Sequence, residues 1–207
     1  MKKSFDKIMQ GYREFREKYA DGNESVMQQL ADYGQKPEIM FVSCCDSRVD
    51  PALILQCNPG DLFIARNVAN IVPPFEADQR HHGTSAALEF GVCYLNVKHL
   101  IIMGHSQCGG INGLLNKESL KDQDDFLSNW VTLINKTDDK IEVDEFAKQA
   151  LLQSHENCLT FPWIKKRVDT NELKIHLWFF DIKTGRIQAY SFENKTFEVL
   201  TRDSLGF

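Results

Sequence analysis

Two short stretches hold residue types suited to metal chemistry. Residues 42–50 read VSCCDSRVD and residues 104–110 read GHSQCGG. A chain leaving a strand in extended form sends alternate residues to one side, so Cys44, Asp46 and Arg48 share a side while Cys45 and Ser47 face elsewhere. His105 and Cys108 are three positions apart, which puts both on one side of a helical turn beginning there. Cys44, His105 and Cys108 together offer two sulfurs and one nitrogen, soft donors that suit Zn2+. Three protein ligands leave the fourth tetrahedral position open, as in catalytic rather than structural zinc sites. Arg48 beside Asp46 keeps the carboxylate ionised and fixes its direction. Asp46 is then an immobile acceptor next to a ligating thiolate. Gly109 and Gly110 let backbone N–H groups approach whatever fills the open position.

Each motif alone has a plainer reading. His-x-x-Cys recurs by chance, and an Asp-Arg pair is usually a structural ion pair. What distinguishes this chain is that both motifs follow strands, with Asp46 and Arg48 in phase with one cysteine. Cys57, Cys93 and Cys158 read as small core residues. His81 and His82 fall in a charged loop and read as solvated, although adjacent histidines can bind metal. His99, His155 and His176 read as structural.

The elements that must position these residues follow from hydrophobic periodicity. Phe5, Ile8, Met9, Tyr12, Phe15 and Tyr19 recur at helical spacing, and Val26, Leu30 and Tyr33 predict a second helix. EIMFVS (38–43) is a short apolar run that predicts a buried strand, and DLFIA (61–65) and HLIIMG (99–104) predict two more strands. TSAALEFGVCYL (84–95) is apolar nearly all round and predicts a buried helix. A further helical region spans about 144 to 166. KIHLWFF (174–180) and RIQAYSF (186–192) form a strand pair across DIKTG. Alternating strands and helices predict an α/β fold, with a mainly parallel central sheet flanked by helices and an antiparallel edge strand. In such sheets sites form at the carboxyl ends of strands, where VSCCDSR and GHSQCGG stand.

Composition narrows the partners. The 207 residues fit a single domain over 1–207, with no repeat or linker dividing it. A net charge of −5 argues against nucleic acid or anionic membrane surfaces. The chain has no run of 18 apolar residues and no signal-like start, so neither a membrane span nor secretion is expected. Six cysteines are too few for a disulfide scaffold and fit a reducing compartment, which predicts a cytoplasmic protein.

Cys44-x-Asp46-x-Arg48 followed by His105-x-x-Cys108 resembles the signature of the β-class carbonic anhydrases. The likeness continues through PGDLFIARNVANIVPP (59–74), TSAALEFGV (84–92), HLIIMGHSQCGGI (99–111) and the FDIKTG segment. It implies an enzyme with one Zn2+ per chain that interconverts CO2 and bicarbonate, built as a homodimer or higher homo-oligomer. It also implies N-terminal helices within 1–35 that pack across a dimer, and a zinc-binding α/β core over 36–207. Gln35, nine positions before Cys44, matches the plant-type branch, in which that glutamine hydrogen-bonds substrate. ANIVPPF is similar to that branch too. Phe41 stands where the other branch carries the tryptophan of an inhibitory bicarbonate pocket, so that regulatory site is not expected. Phe90 occupies the place of a pocket tyrosine, and Tyr94 that of a proton-shuttling histidine, which makes Tyr94 the candidate shuttle.

On this reading Zn2+ lowers the pKa of its bound water and supplies hydroxide near neutral pH. Asp46 accepts a hydrogen bond from that group, Gln35 orients a CO2 oxygen and the Gly109 N–H meets the developing negative charge. Phe63 and Phe90 form apolar walls for a nonpolar substrate. Three rivals use the same residues. A hydrolase of CS2 or COS differs only in pocket access. A zinc or thiol redox sensor has no use for Asp46, Arg48 and Gln35. A serine hydrolase elbow has a glycine where Cys108 stands.

Overall fold

A computed structural model describes residues 2–22, 24–78, 80–115, 125–135 and 140–201. Two helices come first, α1 (Lys2–Tyr19) and α2 (Val26–Tyr33). Strand β1 (Ile39–Cys44) follows, then the single turn α3 (Pro51–Ile54) and β2 (Leu62–Asn67). A 3-10 turn at Val68–Asn70 leads to α4 (Gly83–Glu89), which continues as one π-helical turn, Phe90–Tyr94. Next come β3 (His99–His105), α5 (Gly109–Leu115) and α6 (Asp125–Val131). Helices α7 (Val143–Cys158) and α8 (Pro162–Asp169) precede β4 (Lys174–Asp181), β5 (Arg186–Ser191) and β6 (Thr196–Val199).

The six strands form one sheet in the order β2-β1-β3-β4-β5-β6. β1 is parallel to β2 and β3, and β3 is parallel to β4. β5 and β6 add on in antiparallel fashion. Strands covered on both faces need apolar residues at every position rather than at alternate ones. IMFVSC and HLIIMGH satisfy this, and all but the first residue of each is buried.

The chain leaves β1 towards β2 on one side and returns to lay β3 on the other. That reversal is the topological switch at which α/β sheets open a crevice beyond the strands' carboxyl ends. Helix α7 braces the sheet there: Phe146, Ala147, Ala150, Leu151, Ser154 and Cys158 form its buried stripe. A Cβ at Gly104 would lie only 3.3 Å from Leu151 side-chain atoms, so the glycine before His105 lets α7 sit close to β3.

Four expectations need correction. The 84–95 segment is not buried all round, because only Leu88, Gly91 and Val92 are covered while Phe90 is 44% and Tyr94 70% exposed. One face packs on the sheet, where a Cβ at Gly91 would strike Met40 and Phe63; the other face is open in a single chain. Cys93, expected in the core, lies on that open face, and Cys57 is half-buried, whereas Cys158 is buried as expected. The helical region 144–166 is two helices, since Pro162 has no N–H with which to extend α7 and instead opens α8. Finally, β6 adds a second antiparallel strand; four residues with polar neighbours give too little pattern to announce it.

Candidate metal centre

β1 and β3 are hydrogen-bonded neighbours with Ser43 opposite Met103. Cys44 closes β1 and His105 closes β3, so their side chains emerge at adjacent points of the sheet's carboxyl edge. Cys108 reaches them by a route other than a shared helical turn. His105 is still in the strand, Gln107 adopts a left-handed φ of 53° and α5 starts only at Gly109. The chain folds back at Gln107 and carries Cys108 to the other two donors. The three-residue spacing found the right pair through the wrong geometry.

One donor atom each from Cys44, His105 and Cys108 lies within 4.8 Å of the others, and all three residues are buried. The two Sγ atoms are 3.9 Å apart. Two thiolates at about 2.3 Å from one tetrahedral Zn2+ would stand roughly 3.8 Å apart, so the spacing fits. The His105 Nδ1 lies 2.9 Å from the Ser106 carbonyl oxygen, so Nδ1 carries the hydrogen and Nε2 keeps the lone pair. That Nε2 is buried with no hydrogen-bond partner. An orphaned buried lone pair beside two thiols is unfavourable unless a cation takes it up.

The thiols themselves are prepared for a cation. The hydrogen bond from the Cys108 thiol, opposed by burial, drives the Cys44 thiol well below its ordinary range. The same bond, aided by burial, pushes Cys108 up. With the pKa lowered on one sulfur and raised on the other, the pair favours a single thiolate, and Zn2+ binding would draw the remaining proton off. The Asp46 backbone N–H donates to the Cys44 sulfur at 3.4 Å.

Asp46 stands just outside this set. Its Oδ1 accepts from the Arg48 backbone N–H and from Nε, both at 2.9 Å, and its Oδ2 accepts from Nη2 at 2.7 Å. The Arg48 hydrogen bonds, against a smaller burial effect, hold the Asp46 carboxyl far below the usual carboxylate range. Strand parity separates buried Cys44 from exposed Cys45, as expected, but the Asp46–Arg48 contact comes from a turn closed by Val49 N–H to the Asp46 carbonyl at 3.1 Å.

Arg66 was not singled out in the sequence, yet it clamps this turn. Its Nε and Nη2 donate to the carbonyls of Cys44 and Asp46 at 2.9 and 2.8 Å, and its Nη1 pairs with Asp50 at 2.8 Å. Ser106 does similar work for the other turn: its N–H donates to Phe180 O at 3.0 Å, and its hydroxyl oxygen accepts from the Ile182 N–H at 2.9 Å. Neither residue carries a spacing signal, because their partners are backbone groups brought close only by folding.

A soft three-donor set at the switch point of a parallel sheet, flanked by an ionised and immobile carboxylate, defines a zinc metalloenzyme of the open-site type. The chain belongs to the carbonic anhydrase family, whose model matches residues 39–187. It is 32% identical to a carbonic anhydrase of Synechococcus elongatus over 198 residues, covering 89% of this chain and 71% of the relative. A Helicobacter pylori carbonic anhydrase is 35% identical over 201 residues, with coverages of 90% and 87%. β-Carbonic anhydrase 5 of Arabidopsis thaliana, a chloroplast protein, is 35% identical over 211 residues, covering 96% of this chain and 65% of its own, in keeping with the plant-type resemblance. Among solved structures, the β-carbonic anhydrase CcaA superposes with a TM-score of 0.85 at 32% identity, over 97% of this chain and 94% of that one.

The remaining expected site residues fall in two places. Gly109 adjoins the centre, with nothing within 4 Å of where its Cβ would be. Gly110 is a glycine for packing, since a Cβ there would meet Val68 at 2.7 Å and Ala69 at 3.1 Å. Phe63, by contrast, pairs with Met40, four residues before Cys44 and so roughly 13 Å back along β1. Phe90 packs on Phe63 at 5.7 Å between ring centroids, and Tyr94 stacks on Phe90 at 5.7 Å. Gln35 precedes β1 altogether and is exposed. Phe63, Phe90 and Tyr94 form an aromatic cluster near the amino end of the sheet, away from their own chain's donors.

The other histidines keep structural roles: His99 and His176 are 3.0 Å apart at their ring nitrogens, and His155 lies against Phe192. His82 is held by Asp78 at 2.7 Å, with Glu76 near, and that Asp78 is already paired with Arg80.

Replacing Cys44 with serine should abolish stoichiometric zinc, whereas Cys45→Ser should retain one zinc per chain in metal analysis of the purified protein. Equal zinc in both variants would contradict the assignment of Cys44.

Proposed function

We propose that this chain hydrates CO2 reversibly to bicarbonate and a proton, with Zn2+ held by Cys44, His105 and Cys108 and with Asp46 directing the attack. The observation that carries this reading is the buried trio with its unpartnered His105 Nε2, beside an Asp46 fixed at two points by Arg48. Bound zinc supplies the acidity that turns water into a nucleophile near neutral pH.

The chain's own groups supply direction. Asp46 stays ionised across the working pH range, so it can only accept a hydrogen bond. Its Oδ1 already takes two bonds and Oδ2 only one, which leaves Oδ2 the free acceptor for the attacking oxygen's hydrogen. Holding that hydrogen aims the oxygen lone pair at the CO2 carbon. The Gly109 N–H, at the start of α5 directly after Cys108, is placed to meet the charge that builds on the product oxygen. CO2 offers few groups to bind, so positioning carries the catalysis.

Gln35, Phe63, Phe90 and Tyr94 serve this chemistry from a second copy of the chain. The stretch of sheet between them and Cys44 is too long for them to reach their own donors. Helix α1 supports such a partner, because its apolar face is uncovered: Phe5 is 64%, Ile8 65% and Tyr12 54% exposed. The related β-carbonic anhydrases of Sordaria macrospora, 32% identical with a TM-score of 0.70, are tetrameric. Residues 1–35 are then dimer arms on a core of 36–207, in one domain. In the partner's pocket Gln35 donates to a CO2 oxygen, Phe63 and Phe90 exclude water, and Tyr94 is the candidate group for passing the proton outwards. The six free thiols fit a reducing compartment, the cytoplasm. No described helix is long and apolar enough to cross a membrane.

Asp46→Asn should keep its zinc and lose at least about 10-fold in kcat for CO2 hydration by stopped flow, the usual scale for such outer contacts. Full activity in that variant would remove Asp46 from the mechanism. Shared sites predict complementation: mixing Gln35→Ala chains with Cys44→Ser chains should give heterodimers more active than either parent. Activity no greater than the average of the two parents would place Gln35 outside the partner's pocket.

A further inference from the structure

The turn that delivers Cys108 depends on a conformation its own residues do not favour. Gln107, between the two ligands His105 and Cys108, has a φ of 53°, in the left-handed region that side chains other than glycine rarely adopt. Something must hold it there. The Gln107 backbone N–H donates to Asp144 Oδ1 at 2.7 Å, a short, charge-assisted bond. Its carbonyl accepts a longer bond from Arg48 Nη2 at 3.4 Å, the nitrogen that also donates to Asp46 Oδ2.

Asp144 is well placed to act as an anchor. It occupies the first turn of α7, where the helix dipole favours a negative charge. Two residues on, α7 is locked to the sheet by Phe146 and Ala147, and a turn later by Ala150 and Leu151, all buried. The carboxylate is thus tied to the same rigid body that packs against Gly104, next to His105. A continuous chain of contacts runs from Asp144 through the Gln107 peptide to Arg48 and Asp46. It joins three separate elements: the helix, the turn after β3 and the turn after β1.

We propose that Asp144 is a positioning residue for the zinc centre: its carboxylate holds the 105–108 turn in its left-handed shape and, through the Gln107 carbonyl, steadies the arginine that directs Asp46. The effect on Asp46 rests on the function proposed above, whereas the effect on the ligand turn does not. Asp144 touches neither metal nor substrate. It acts on the distance between His105 and Cys108 and on the direction of Arg48. An asparagine at 144 can still accept from the Gln107 N–H, while an alanine cannot.

The test compares Asp144→Ala with Asp144→Asn in the zinc-loaded protein, measuring zinc release to a chelator and then kcat and KM for CO2 hydration. Asp144→Ala should release zinc about 10- to 100-fold faster than the unaltered chain, the range for lost support of a metal ligand. Its kcat should fall more than its KM changes, and Asp144→Asn should lie within a few-fold of the unaltered chain in both. Zinc release from Asp144→Ala at the unaltered rate overturns the proposal, and so does an asparagine variant as impaired as the alanine one. Should Asp144→Ala fail to fold, adding Gln107→Gly supplies the left-handed conformation without a side-chain penalty. Recovery of folding and zinc retention supports the anchoring role, and no recovery overturns it. Absence of CO2 hydration in the unaltered protein would sink the proposed function, while the zinc-release ranking would still judge Asp144.

Discussion

Crowding two thiols and an imidazole nitrogen into one buried spot is unfavourable in a protein without a cation to bind them. The Nε2 of His105 has no hydrogen-bond partner, and the two sulfurs stand 3.9 Å apart. The remainder of the molecule tolerates this arrangement because each donor is held from a different direction by strong secondary structure. β1 delivers Cys44, β3 delivers His105, and the left-handed Gln107 turns Cys108 back towards both. The binding free energy of the metal offsets the strain of assembly, so the centre and the fold around it stabilise each other.

Charge is arranged around that centre with equal economy. Arg66 binds the carbonyls of Cys44 and Asp46 and pairs with Asp50, so it stiffens the turn without neutralising Asp46. Among the described residues Arg48 is the side chain that engages the Asp46 carboxylate, at both of its oxygens. Asp46 is thereby kept both ionised and out of the metal's ligand set, which among the described residues comprises Cys44, His105 and Cys108. A carboxylate free to swing would compete for the open position and close it. On the proposed function, that ion pair is what separates a zinc site that uses the ion from one that only stores it.

Local chemistry was legible in the sequence where it was written locally. Cys44, Asp46 and Arg48 fall within five residues, and His105 and Cys108 within four, so spacing alone brought the right side chains together. Even there the geometry differed, since a turn and a left-handed residue replaced an extended chain and a helix. The apolar runs announced β1 to β4, because parallel strands inside a sheet carry continuous hydrophobic stretches, and the DIKTG turn announced β5 as the partner of β4, while four-residue β6 had no such pattern. Arg66, Ser106 and Asp144 were invisible for a different reason. Each acts on backbone groups tens of residues away, and a backbone group has no residue type to recognise. Gln35, Phe63 and Phe90 show the opposite limit: family likeness marked them as pocket residues, but within one chain Phe63 stands roughly 13 Å from Cys44 along the sheet, Phe90 packs on it and Gln35 precedes β1. The proposed second copy accounts for their place, and for the apolar face that α1 leaves uncovered.

The central question is whether the buried trio holds zinc and makes it work. Stopped-flow CO2 hydration on protein of measured metal content tests this directly. With two thiolates feeding charge to the metal, the bound water is less acidic than in an all-histidine site, so the rate should climb through mildly alkaline pH, in proportion to a zinc content of about one per chain. One zinc per chain with no CO2 hydration at any pH from about 6 to 9 would contradict it.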